Sequence, residues 1–128
     1  MKRVINPSNS PKPIGTYNQA IESNGFIFTS GQVGIDHNTG KIVDGGIESQ
    51  VSMVFKNIDA ILKEAGTDKT AIVKLMVFLV DMNDFPHVNR GFQTFFGDID
   101  YPARSTVEVS QLPLAALVEI DCIAETKL

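Results

Sequence analysis

The sequence predicts an α+β sandwich, a mixed sheet of about five or six strands with two helices on one face. Three observations carry this expectation. An Asn24-Gly25 pair separates two apolar stretches near the N-terminus. Two segments, starting at Gly46 and near Asn83, show apolar residues at helical spacing. The runs between and after them have strand character, so the order reads β-β-β-α-β-α-β-β.

Each element has its own signal. The first fifteen residues hold Pro7, Pro11, Pro13 and Gly15 and show no period, but Val4 and Ile5 suit a short edge strand. TYNQAIES and GFIFTSGQ read as two strands joined at Asn24-Gly25, because a type I′ turn needs positive φ at both central positions. DHNTGK is a second turn, polar throughout, with Gly40 free to take a left-handed position. From Gly46 the period changes: Ile47, Val51, Val54, Ile58, Ile61 and Ala65 form one stripe of an amphipathic helix, and Gly66 ends it.

KLMVFLVD then supplies an unbroken apolar run from Leu75 to Val80, the pattern of a strand buried on both faces. Asn83 is the expected cap of the second helix, with Pro86 in its first turn, where a missing N–H costs little. Phe85, Val88, Phe92, Phe95 and Phe96 give that helix its apolar face. Two strands follow, Ser105–Val109 and Leu117–Glu125; in the second, Val118, Ile120, Cys122 and Ala124 oppose Glu119, Asp121 and Ile123. Two helices cover one face of such a sheet, yet the central strand is apolar on both. Burial against identical copies is the simplest cover, so a homo-oligomer is expected.

Composition narrows the function. With 128 residues, 43% hydrophobic and 20% charged, the chain is sized for one globular domain spanning residues 1–128. Eleven basic residues are scattered among fifteen acids, giving a net charge of −4, which argues against a nucleic-acid footprint. The single cysteine, Cys122, permits neither an intrachain disulfide nor a zinc cage, and it reads as a small buried hydrophobe. His37 and His87 lack ligand spacing, so no metal or cofactor is expected. MKRVINPSNSPKP has positive charges but no apolar stretch behind them, and no run approaches membrane-spanning length. A cytoplasmic protein is expected, with no membrane partner.

Polar residues that interrupt the strands are the candidate chemistry. Arg104, in PARSTVEV, is either a surface charge paired with Glu108 or solvent, or a bidentate clamp for a carboxylate. Glu119 and Asp121 share one face of the last strand. They face water, or, if a neighbouring subunit covers them, one has a raised pKa suited to acid–base work. Tyr17 lines a pocket or simply starts a strand, and Gly31 in Ser30-Gly31-Gln32 marks a close approach to backbone or a plain strand end. The residues alone describe a small-anion pocket with possible acid–base chemistry.

The stretches IGTYNQAI, FTSGQV, VKLMVFLVDMNDFPHVN, YPARSTVEVSQLP and VEIDCIA, in this order and spacing, resemble the RidA (YjgF) family of reactive-intermediate imine deaminases along nearly the whole chain. The resemblance implies a chorismate-mutase-like fold of the bacillus type, a homotrimer with clefts between subunits, and no cofactor. It implies hydrolysis of 2-imino acids (2-iminobutanoate, 2-iminopropanoate), or their enamine tautomers, to 2-keto acids and ammonia. Such imines are released when pyridoxal-phosphate enzymes dehydrate serine and threonine. By the same resemblance, Arg104 clamps the substrate carboxylate and Glu119 handles water. Tyr17 is the pocket tyrosine, Gly31 is the backbone contact near the imine nitrogen, Ser30 is a substrate-binding residue, and Asn89 lines the cleft. Thr106 stands where many members have cysteine, which spares a backbone N–H contact but removes any thiol role. Thr16 replaces a common proline, and LPLAALVEID lacks a common Lys-Asp pair. The competing readings are a non-catalytic sensor of 2-keto acids and an interaction protein of chaperone or ribonuclease type.

Overall fold

The computed structural model describes residues 1–127. In chain order its elements are β1 (Arg3–Ile5), β2 (Ala20–Ser23), β3 (Phe26–Thr29), β4 (Ile35–Asp36), β5 (Lys41–Ile42), α1 (Gly46–Glu64), β6 (Ile72–Leu79), α2 (Phe85–Phe96), β7 (Ala103–Glu108) and β8 (Val118–Glu125). Six strands form one mixed sheet in the order β1-β2-β3-β8-β6-β7, and β4-β5 is a separate small hairpin. Only β6 and β7 run parallel, because α2 carries the chain back between them; the other pairs are antiparallel. Both helices pack on one face, as expected.

Asn24 (φ 51°) and Gly25 (φ 83°) make the expected hairpin turn, and Gly40 (φ 72°) turns the β4-β5 hairpin. Gly66 (φ 84°) follows the end of α1. Three expectations need correction. The first hairpin strand is shorter than TYNQAIES, since Thr16 and Tyr17 lie in a bend before β2. Asn83 does not cap α2: it lies inside a short 3₁₀ turn, Met82–Asp84, whose own cap is Asp81, with the Asn83 N–H donating to Asp81 Oδ1 at 2.9 Å. Asp84 then stands at the N-cap position of the helix without a side-chain capping bond. The strand after α2 begins at Ala103, so Arg104 lies within it and not ahead of it.

The core lies between the sheet and the helices, where Val51, Val54, Ile58, Leu75, Val77 and Ile120 are fully buried. The helices cross tightly at Gly91, where a Cβ would come within 2.3 Å of Val51 Cγ1. On the opposite face of the sheet, Met76, Phe78 and Ile123 are half-buried and Phe26, Phe28 and Val107 are exposed. Within one chain, β6 is therefore sealed on one face only.

The β7-to-β8 connection carries local strain. Leu114 (φ 58°) and Ala115 (φ 56°) are both left-handed without being glycine, which costs about 1 kcal/mol or more per residue. Ala115 is exposed, so Ala115→Gly should relieve strain without loss of packing. A gain of roughly 0.5–1 kcal/mol, or about 2–4 °C in Tm by calorimetry, is expected after the greater chain entropy of glycine is subtracted. An unchanged or lowered Tm would show that this turn is not strained.

Candidate active site

The β6–β7 register pairs Leu75 with Arg104, Val77 with Thr106 and Leu79 with Glu108. Because Leu75, Val77 and Leu79 face the helices, so do Arg104 and Thr106. Arg104 therefore turns toward α2. Its Nη2 donates to Asn89 Oδ1 at 2.8 Å, and the guanidinium carbon stands 4.5 Å from the Phe92 ring centre and 5.1 Å from that of Phe85. Such cation–π contacts are each worth about 0.5–2 kcal/mol and hold the planar fork in one orientation. The surface reading with Glu108 fails, since Glu108 Oε1 accepts the Met82 N–H at 2.8 Å instead.

The other guanidinium nitrogen, Nη1, is buried with no acceptor among the described residues. Burial also holds the guanidinium pKa below its usual value, although it stays charged near neutrality. Beside it opens a cavity of about 280 Å³ lined by Asn89, Phe92, Gln93, Tyr101, Pro102 and Arg104. Phe92, Tyr101 and Pro102 give this space apolar walls, and Asn89, Gln93 and the Arg104 cation give it a polar side. Thr106, half-buried, lies two residues along the same face of β7.

Glu119 belongs to the opposite face. From β8 it pairs with Phe78 of β6, among Met76, Ile123 and Asp121. Half-burial raises its pKa and the neighbouring Asp121 charge raises it further; burial raises that of Asp121 as well. The carboxylate lies against the Gly31 backbone, where a Cβ would come within 2.5 Å of Glu119 Oε2 and 2.6 Å of Cδ. Glycine at position 31 is thus what lets the carboxylate lie flat.

Tyr17 stands beside them. Its hydroxyl oxygen accepts the Ile14 N–H at 3.2 Å, leaving the hydroxyl proton free to be donated elsewhere. Tyr17, Gly31 and Glu119 share a second cavity of about 30 Å³ with Gln19, Gln32 and Pro113, enough for a single water molecule. Ser30 is committed structurally: its Oγ donates to Asn18 O at 2.6 Å, and its N–H donates to Gln19 O at 2.8 Å.

The seven residues singled out by sequence thus form two groups. Arg104, Asn89 and Thr106 face the helices at the β7 edge; Tyr17, Gly31 and Glu119 gather on or beside the open face, with Ser30 bracing their loop. Sequence reasoning missed the Phe85–Phe92 platform under Arg104, although the 85/92 spacing on one helix face was a usable signal. It also passed over Gln19 and Gln32. No group of three or more His, Cys, Asp or Glu side chains among the described residues could hold a metal ion.

Cys122 is sealed beneath the helices, and burial pushes its thiol up to about 12. In the folded protein it should not react with a disulfide reagent at pH 8 but should do so fully in denaturant. Rapid labelling of the native protein would contradict this burial.

The profile of the family described as endoribonuclease L-PSP matches residues 7–126. The Rid family protein YyfA from Yersinia pestis is 48% identical, with a TM-score of 0.96, over 98% of this chain and 100% of its own. The structure of E. coli TdcF with bound serine is 34% identical, with a TM-score of 0.92, over 98% of this chain and 99% of its own. The Mus musculus 2-iminobutanoate/2-iminopropanoate deaminase is 41% identical over 97% of this chain and 91% of its own.

Proposed function

Because the chain belongs to the endoribonuclease L-PSP family, also called the RidA/YjgF family, we propose that it hydrolyses small 2-imino acids to 2-keto acids and ammonia. The active form in this reading is a homotrimer. The observation that carries the reading is the division of the site. A guanidinium borders a cavity sized for a small organic acid, and a raised-pKa carboxylate borders one sized for a water. The two lie on opposite faces of one sheet. A cleft between two copies, formed as the apolar open faces are covered, brings Arg104 of one chain toward Glu119 of another.

The chemistry follows. Arg104 binds the substrate carboxylate through its fork and orients the C=N carbon. Glu119 accepts a proton from water as the oxygen bonds to that carbon, giving a carbinolamine. Glu119 hands that proton to the imine nitrogen, completing the neutral carbinolamine. It then takes the new hydroxyl proton and delivers it to the same nitrogen as the C–N bond breaks and the C=O bond forms, so ammonia leaves with the 2-keto acid as the other product. Tyr17 donates a hydrogen bond on the same side. The imine is already electrophilic, so orientation and proton transfer suffice, the latter contributing about 10²–10⁴-fold.

The family description names a ribonuclease. A groove on the helix layer interleaves Lys56, Lys63, Lys69 and Arg90 with Glu48, Asp59 and Asp68, which is not a phosphate-tracking stripe. Serine bound in the TdcF structure favours a second reading, binding of a small carboxylate without turnover.

The test is a threonine dehydratase reaction run with and without the protein. 2-Ketobutyrate is expected to appear faster with it than by spontaneous hydrolysis. Equal rates would overturn the deaminase reading and leave the binder.

A further inference from the structure

A line of buried amides connects the Glu119 strand to the Tyr17 loop. Gln32 is locked to the residue beside Glu119: its N–H donates to Ile120 O at 2.8 Å, and the Ile120 N–H donates to Gln32 O at 3.0 Å. Its side chain is only 3% exposed, and Nε2 donates to Gln19 Oε1 at 2.7 Å and to Ser30 O at 3.2 Å. Gln19, also 3% exposed, donates from Nε2 to Pro11 O at 2.5 Å, while its backbone N–H donates to Asn6 Oδ1 at 2.7 Å.

The far end of this line is an irregular segment otherwise tied down at Asn18, next to Tyr17, whose carbonyl accepts from Ser30 Oγ at 2.6 Å and whose Oδ1 accepts from Asn6 Nδ2 at 2.9 Å. Residues 11–18 form neither helix nor strand, and Ile14 and Tyr17 are 54% and 41% exposed. Few buried apolar contacts mean a low local stability. Yet Tyr17 borders the same small cavity as Glu119. The Gln19 side-chain amide accepts from Gln32 and donates to Pro11 O at once.

We propose that Gln19 and Gln32 are positioning residues, holding the Pro11–Tyr17 segment so that Tyr17 faces the Gly31–Glu119 floor. The catalytic consequence rests on the deaminase reading; the positional claim does not.

The chain has two tyrosines and no tryptophan, so in a Tyr101→Phe background the emission reports Tyr17 alone. In that background Gln19→Met should raise acrylamide quenching of Tyr17 by about twofold or more, as expected for a segment released to open locally. In imine hydrolysis, kcat should fall by about tenfold or more with KM changed much less, because a displaced group loses transition-state contacts. Gln19→Glu, of nearly equal volume, accepts from Gln32 but donates to Pro11 O only when protonated. Its quenching should therefore return toward that of the Gln19 protein, measured at the same pH, as pH falls. A purely structural role would lower Tm in both variants and leave Tyr17 quenching unchanged, which overturns the proposal. If Gln19→Met does not fold, Gln19→Glu decides it through its pH dependence, a flat profile being the overturning result. Quenching needs no substrate, so a reference protein without turnover would sink the deaminase reading while the positional claim is still judged.

Discussion

Arg104→Ala is expected to cripple imine hydrolysis, lowering kcat/KM by roughly 30-fold to several thousand-fold, while the fold survives. Truncating one partner of a desolvated charge pair costs about 2–5 kcal/mol, and every ~1.4 kcal/mol is tenfold. The fold has less at stake. One hydrogen bond to Asn89 and the stacking on Phe85 and Phe92 are lost, but so is a buried nitrogen that had no acceptor among the described residues. Arg104→Lys separates charge from geometry, because a lysine ammonium cannot hold Asn89 and a carboxylate with one planar fork. It should recover little of the rate. The checks are the coupled assay, titration with 2-ketobutyrate, and circular dichroism. Normal turnover by Arg104→Ala would end the assignment of this residue.

Gly31→Ala tests the other half of the site with a single methyl group. The new Cβ would come within 2.5 Å of Glu119 Oε2, and that oxygen is the far end of a flexible side chain. The carboxylate can swing away, so the stability change should stay below about 1 kcal/mol, in the range of substitutions that break no core contact. The displaced group, however, no longer holds its water. A misplacement of about 1 Å costs on the order of 10²-fold in rate, so kcat should fall by that much with Tm almost unchanged. Glu119→Gln should fall at least as far, by the ~10²–10⁴-fold of a lost acid–base group. A Gly31→Ala variant with full kcat would show that the Glu119 position over Gly31 is not used. A pure binder would keep its ligand affinity in Glu119→Gln and have no rate to lose.

The elements were legible because each is set by local physics. The Asn24-Gly25 turn needs two positive φ angles, the Ile47–Ala65 stripe repeats at helical spacing, and Leu75 to Val80 is an apolar run bounded by charges. Boundaries failed where a competing local structure intervened. The 3₁₀ turn at Met82–Asp84, capped by Asp81, puts Asp84 rather than Asn83 at the start of α2, and the bend at Tyr17 shortened the first hairpin. The Ser30 hydroxyl closes a loop against Asn18 O, a partner twelve residues away. Nothing near Ser30 in the chain announces that contact.

By itself, then, the sequence determined the helices, the strands, the turns and the candidate residues, since propensity, period and left-handed positions depend on neighbours in the chain. Only the tertiary structure decided which face each candidate occupies. Alternation says that Arg104 and Thr106 lie together, and likewise Glu119 and Asp121. The pairing of β6 with both β7 and β8 puts the first pair under the helices and the second on the open face. Register is a long-range property, and a one-residue slip would reverse every side chain. The same pairing separates Arg104 from Glu119 within one chain and gives Gln32 its place beside Ile120.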